Sequence, residues 1–100
     1  MFVSPAHADI DCPGKVESHL IDSTGNVLVT HNAVGTVQIC NVNIDWNGIS
    51  PTLCFAWLAL IKEAGNRTAS VTIHYNYNSC SAIPQSDSAP APNYIQLNKF

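Results

Sequence analysis

One hundred residues with four cysteines and a net charge of −3 make one small domain without a basic face. Four Lys+Arg against seven Asp+Glu cannot neutralise a row of phosphates, so nucleic acid is excluded as a partner and anionic membrane surfaces are disfavoured. A core of this size is marginal by itself, so covalent fastening is expected, and a low charge count among many Asn, Ser and Thr suits a secreted protein that meets sugars or proteins.

Residues 1–8, MFVSPAHA, read as the end of a secretory signal, with Ala6-x-Ala8 as a small-residue cleavage site and Asp9 as the mature start; the alternative is an ordinary flexible tail. Residues 9–100 then form a single domain. No segment of it is apolar for long enough to be a membrane span, so membrane insertion is not expected.

Residues 14–22, GKVESHLID, alternate as a strand, and Ser23, Thr24, Gly25 and Asn26 form a turn. Residues 27–31, VLVTH, are the hairpin partner. Pairing Leu20 with Val29 and Ile21 with Leu28 matches apolar to apolar on both faces. In that register His31 lies opposite Ser18 and His19 opposite Thr30, so the two imidazoles are kept apart. A slip of one residue that set His19 against His31 would create a metal or proton-transfer pair.

A third strand follows at residues 36–42, TVQICNV, with Val37, Ile39 and Asn41 on one face. Residues 43–49 form a loop that sets Asp45, Trp46 and Asn47 just before a helix. That helix, residues 50–65, has Ser50 as N-cap, Pro51 at its first position and Gly65 as its left-handed end. Between them Leu53, Cys54, Phe55, Ala56, Trp57, Leu58, Ala59, Leu60 and Ile61 run together, so the helix is expected to be buried on more than one side. Its roughly fourteen residues span about 21 Å, short of a bilayer core of about 30 Å. A fourth strand, residues 70–75, turns Val71, Ile73 and Tyr75 one way and Thr72 and His74 the other. Residues 81–92 are a proline-rich loop running extended over the surface, and residues 94–100 are the last strand.

Three strands, a helix and two strands is the order of a five-stranded OB-type barrel, β-β-β-α-β-β, whose helix closes one end. In that closure the first strand neighbours the fourth, which brings Cys12 to Cys80, while Cys40 at the end of the third strand meets Cys54 in the first helical turn. Four cysteines allow three pairings, and of these Cys12–Cys80 and Cys40–Cys54 are expected. No C-x-x-C pair is present and the histidines lie far from the cysteines, which argues for disulfides over a zinc cage.

Several stretches carry a resemblance. Cys12-Pro13-Gly14-Lys15-Val16, then Ile39-Cys40-Asn41-Val42-Asn43 with Trp46-Asn47-Gly48, then Pro51, Cys54 and Trp57, then Ser79-Cys80 and Ala89-Pro90-Ala91-Pro92-Asn93-Tyr94-Ile95, resemble an uncharacterised family of small secreted proteobacterial proteins. The likeness covers nearly the whole mature chain and implies a fold and a compartment, with no activity attached. More distantly, the order of elements and residues 57–75 are similar to the receptor-binding B subunits of subtilase-type AB5 toxins, OB-fold pentamers that bind glycans. The sugar-contacting motif of those subunits has no counterpart here, so none of its residues is carried over.

Catalysis is not expected. No G-x-S-x-G, H-E-x-x-H or phosphate-loop pattern is present, the cysteines are committed to disulfides, and no two of the seven carboxylates share one face of an element. His19, His31 and His74 read as surface or barrel-rim residues, and no cofactor or metal is expected. Asp45, Trp46 and Asn47 set a flat apolar ring beside an acceptor and an amide, a combination that suits sugar faces and hydroxyls; a Trp before a helix also serves as a core lid. Tyr75 and Tyr77 with Asn76 and Asn78 form a similar patch, in which Tyr75 belongs to the core and Tyr77 is the exposed ring. Asn66-Arg67-Thr68 has the form of a glycosylation acceptor and reads as the turn after the helix. The apolar helix predicts an exposed patch and self-association, unless the loops at 43–49 and 81–92 cover it. The expected function is a secreted, non-enzymatic module that binds a glycan or a host protein; the alternative is a structural or inhibitory envelope protein that acts through protein contacts.

Overall fold

A computed structural model describes residues 9–99; the expected signal remnant at 1–8 and Phe100 lie outside the described residues. The chain is mainly β with one helix, in the order β1 (Ile10–Gly14), β2 (Val16–Ile21), β3 (Asn26–His31), β4 (Gly35–Asn41), α1 (Pro51–Arg67), β5 (Val71–Tyr75) and β6 (Tyr94–Leu97). Two three-stranded antiparallel sheets result, ordered β1-β5-β6 and β2-β3-β4.

The single first strand expected at 14–22 is two strands in two sheets, with Lys15 as the joint. Pro13 has no N–H to give a ladder, and β1 accommodates it as an edge strand. At Gly14 the chain crosses so close to β3 that a Cβ would overlap Asn32 Oδ1 and come within 2.7 Å of His31 Cε1. Only glycine fits that crossing.

The hairpin register differs by one residue from expectation: Leu20 faces Leu28 and Ile21 faces Val27. The reason lies in Asp22. Its Oδ1 accepts from the N–H groups of Thr24 and Asn26 at 2.9 and 3.0 Å, and its own N–H donates to Asn26 O, so the turn closes one residue earlier than apolar matching alone suggests. The Thr24 hydroxyl also donates to Asp22 Oδ1, at 2.8 Å, and this bond contributes most to lowering the Asp22 pKa, with the two backbone N–H groups acting in the same direction. His19 consequently lies opposite Val29 on an exposed strand, and a bulge at Glu17 sets His31 opposite Val16. The two histidines do not meet.

In β4 every residue from Val37 to Asn41 is buried, because Val27 pairs with Cys40 and Leu28 with Gln38, leaving Ile39 as an extra residue. The buried amides are satisfied. Gln38 Nε2 and Asn41 Nδ2 both donate to Asn26 Oδ1 at 2.8 Å, and Asn41 Oδ1 accepts from the N–H groups of Asn43 and Ile44.

Ser50 caps α1 as expected, its Oγ accepting from Leu53 N at 3.2 Å, with Pro51 next. The helix runs past Gly65 and ends at Thr68, whose φ of 52° makes it the left-handed cap. Its burial is one-sided, contrary to expectation: Cys54, Trp57, Ile61 and Ala64 form a single stripe, while Phe55 is 58% exposed and Leu53 39%. Offsets of three, seven and ten residues keep that stripe on one line of the helix surface.

Both expected disulfides are present, Cys12–Cys80 and Cys40–Cys54. The first joins β1 to a single 3-10 turn, Cys80–Ala82, after β5; the second joins β4 to the first turn of α1. The core between the sheets is built from Val27, Val29, Val37 and Ile39 on one side and Val71, Ile73 and Tyr75 on the other, with Trp57 and Ile61 from the helix.

The expected five-stranded closed barrel is corrected to six described strands in two separate three-stranded sheets. Among the described residues no ladder joins β4 to β6. The proline-rich loop takes that edge instead: Ser86 bridges Val37 in parallel, with Gln38 N donating to Ser86 O at 3.0 Å and Ser86 N donating to Thr36 O at 2.8 Å. Ile83 and Ala89 of this loop are buried, so it is part of the core rather than a surface strap.

Candidate functional site

The β1-β5-β6 sheet turns Val71, Ile73 and Tyr75 inward, so strand alternation sends His74 outward. Its neighbours in the ladder are Asp11 on β1 and Tyr94 on β6, which makes a row of three side chains across the outer face. The Tyr94 ring stacks on the His74 imidazole, with centroids 4.6 Å apart and planes 14° from parallel. From there its hydroxyl reaches Asp11 Oδ1 at 2.6 Å.

Asn93 extends the row. Its Nδ2 donates to His74 Nδ1 at 3.0 Å and to Asn76 Oδ1 at 2.8 Å, while its backbone N–H donates to His74 O at 2.8 Å. Acceptance at Nδ1 places the His74 proton on Nε2. Asn76 in turn is a wall of an open depression of about 370 Å³, lined also by Tyr77, Asn78 and Ala82. Tyr77 rests partly against the core, and neither its hydroxyl nor the Asn78 amide has a hydrogen-bond partner among the described residues. Ala82 is held in place by the Cys12–Cys80 bond at the head of its turn.

The walls of this depression carry no formal charge. Along the row the negative pole is Asp11. Its hydrogen bond from the phenol raises the Tyr94 pKa above the ordinary 10.0, and the charges of Asp11 and Asp9 act in the same direction. Among the described residues no group of His, Cys, Asp and Glu is placed to hold a metal ion, and every cysteine is oxidised, so no thiol is available as a nucleophile.

Of the residues singled out from sequence, Tyr77 lines the depression with Asn76 and Asn78, and Tyr75 is a core residue as expected. Asp45, Trp46 and Asn47 sit elsewhere, in a tight turn in which Trp46 and Ile49 exchange backbone bonds of 3.0 and 2.8 Å around Asn47 and Gly48, both at positive φ. Trp46 is half-buried there, with Asp45 and Asn47 exposed, and none of the three is a wall of the Tyr77 depression. The histidine reading needs one correction: His31 is 1% exposed, a core residue. The sequence turns His74 outward, but its grouping with Asp11, Asn93 and Tyr94 is not legible there, because the four come from three strands and a loop far apart in the chain. The outward phase of His74 beside Val71, Ile73 and Tyr75 was the available signal. No family model, no curated protein and no solved structure matches this chain.

Proposed function

We propose that the chain is an exported binding module that works without catalysis, recognising a glycan or a host protein through the aromatic and amide surface at the exit of β5. The observation that carries this reading is the depression in which the Tyr77 ring and the unengaged Asn78 amide stand beside Asn76, itself braced through Asn93 onto the stacked His74–Tyr94 pair. A flat ring with neutral donors and acceptors, prearranged at low entropy cost, matches hydroxyl-rich ligands. Two disulfides, and the absence of any described helix long and apolar enough to cross a membrane, are consistent with a periplasmic or secreted setting. The pairing of β1 with β5 is the neighbour relation of an OB-type closure, which fits the likeness to toxin B subunits.

The test is a glycan array probed with the folded, oxidised protein and with Asn78→Ala. Binding of the first that is lost in the second supports the reading, and a blank array with folded protein turns it toward protein partners. That second reading, an envelope protein acting through protein contacts or a homo-oligomer, is favoured by Phe55 and Leu53 on α1 and by Leu20 and Ile21 on β2, all left exposed. Size-exclusion chromatography with light scattering tests it, since a monomer at high concentration counts against assembly through these faces.

A further inference from the structure

His31 takes no part in this surface, and its placement is unusual for a titratable group: it is 1% exposed and stands in the core. It ends β3, yet its Nε2 lies 2.8 Å from Val71 O on β5, so a single ring spans from one sheet to the other. Its Nδ1 accepts from Ala33 N at 3.1 Å. An N–H pointing at Nδ1 requires a lone pair there, which puts the proton on Nε2, where it donates to Val71 O. Both ring nitrogens are therefore satisfied only in the neutral tautomer.

We propose that His31 is an acid-released latch: its neutral ring ties the turn at Asn32, Ala33 and Val34 to β5 of the opposite sheet, and its protonation frees that turn. The proton comes from solvent and forms the Nδ1–H bond. The hydrogen bond from Ala33 N is then lost, because two donors face one another, and a cation is left in the core. The turn that must move is itself an anchor. Val34 O accepts from Gln85 Nε2 at 2.8 Å and Thr36 N donates to Gln85 Oε1 at 2.9 Å, so release of Ala33 reaches the proline-rich loop that edges β4.

The surroundings favour the neutral ring. Burial pushes the His31 pKa below the ordinary 6.5; hydrogen bonds to the backbone of Val71 and Gly14, and the charge of Glu17 on β2, pull the other way. Lys15, between β1 and β2, sends its ammonium to Thr68 O at 2.7 Å, while β4 brings Gly35 opposite the ring and β5 brings Val71. With the folded-state value depressed, the latch is closed above about pH 6.5 and loses its hold as the pH falls below it.

The experiment is an NMR titration of the intact oxidised protein, reading the His31 ring nitrogens and the exchange of the Ala33 amide. At about pH 7 the ring shows the Nε2–H tautomer. Below the ordinary imidazole range, Ala33 protection, corrected for intrinsic exchange, falls by roughly tenfold per pH unit, the slope of one linked proton. A protonated ring or the Nδ1–H tautomer at neutral pH overturns the proposal, as does Ala33 protection that stays flat to about pH 5. His31→Gln keeps a donor and an acceptor in place and flattens the pH response where it folds. The wild-type titration decides the matter without it.

Discussion

Tyr94 and Asp11 stand on strands separated by β5, yet the phenol hydroxyl meets Asp11 Oδ1 at 2.6 Å by lying along the His74 ring. The contact closes the outer face of a sheet whose two edges, β1 and β6, come from opposite ends of the chain.

Tyr94 therefore ionises above the ordinary phenol value of 10.0, since the hydrogen bond to Asp11 is held only by the neutral phenol. A raised folded-state value means that the contact contributes stability below about pH 10 and loses it as the pH climbs through the folded-state value. Asp11→Asn removes the charge while keeping an acceptor, so the Tyr94 titration moves down toward the ordinary range. Ring-carbon NMR of tyrosine in both proteins checks this, and superimposable titrations mean that the contact does not form in solution.

Tyr75 presents the opposite case. Its ring is fully buried opposite Ile10, and its hydroxyl is a buried side-chain polar atom without a hydrogen-bond partner among the described residues. Burial alone pushes its ionisation far above the ordinary range. An unsatisfied buried hydroxyl costs about 1–3 kcal/mol, so Tyr75→Phe is expected to raise stability by about 1 kcal/mol in urea unfolding. A loss of similar size would show that the hydroxyl has found a partner.

What could be read from the sequence depended on whether the decisive interaction was local. Ser50 and Pro51 announce a helix start because capping is settled within four residues, and the cysteine pairing followed once β1 and β5 were placed side by side. The hairpin register differs from expectation because apolar matching is met in either register, Leu20 and Ile21 facing Leu28 and Val27 as readily as Val29 and Leu28, and Asp22, whose side chain closes the turn, decides between them. The split at Lys15 was hidden because residues 10–22 stay extended throughout and merely change sheets. At the site, Asn76, Tyr77 and Asn78 are contiguous, so the sequence itself shows them as one patch. Asp11 and Tyr94 are brought together by topology alone, and no local pattern announces such a pair.

Thr68 is a β-branched residue at φ 52°, where a Cβ is penalised, and it nevertheless provides the N–H that closes on Ala64 O and Gly65 O. The left-handed region costs an L-residue about 1–2 kcal/mol, and glycine gives back about 0.5–1 kcal/mol in unfolded-state freedom. Thr68→Gly is thus expected to stabilise by about 0.5–1 kcal/mol, and since Lys15 binds the Thr68 carbonyl, that contact survives. A fall in the urea midpoint would mean that the threonine side chain makes contributions of its own.

The two disulfides close loops of very different length, with separations of 68 residues for Cys12–Cys80 and 14 for Cys40–Cys54. On the chain-entropy account, the first contributes about 4 kcal/mol and the second about 3 kcal/mol by restricting the unfolded chain. Their sum is comparable with the whole stability of a typical domain, about 5–15 kcal/mol. Full reduction without denaturant is therefore expected to leave the chain largely unfolded by circular dichroism. Removing one bond at a time separates the contributions. Cys40→Ala with Cys54→Ala should fold with the smaller loss, whereas Cys12→Ala with Cys80→Ala should lose about 1 kcal/mol more and also loosen Ala82 and the depression beside it. Equal losses from the two pairs would mean that burial of the sulfur atoms, and not the length of the closed loop, sets what each bond is worth, because Cys12, Cys40 and Cys54 are all fully buried.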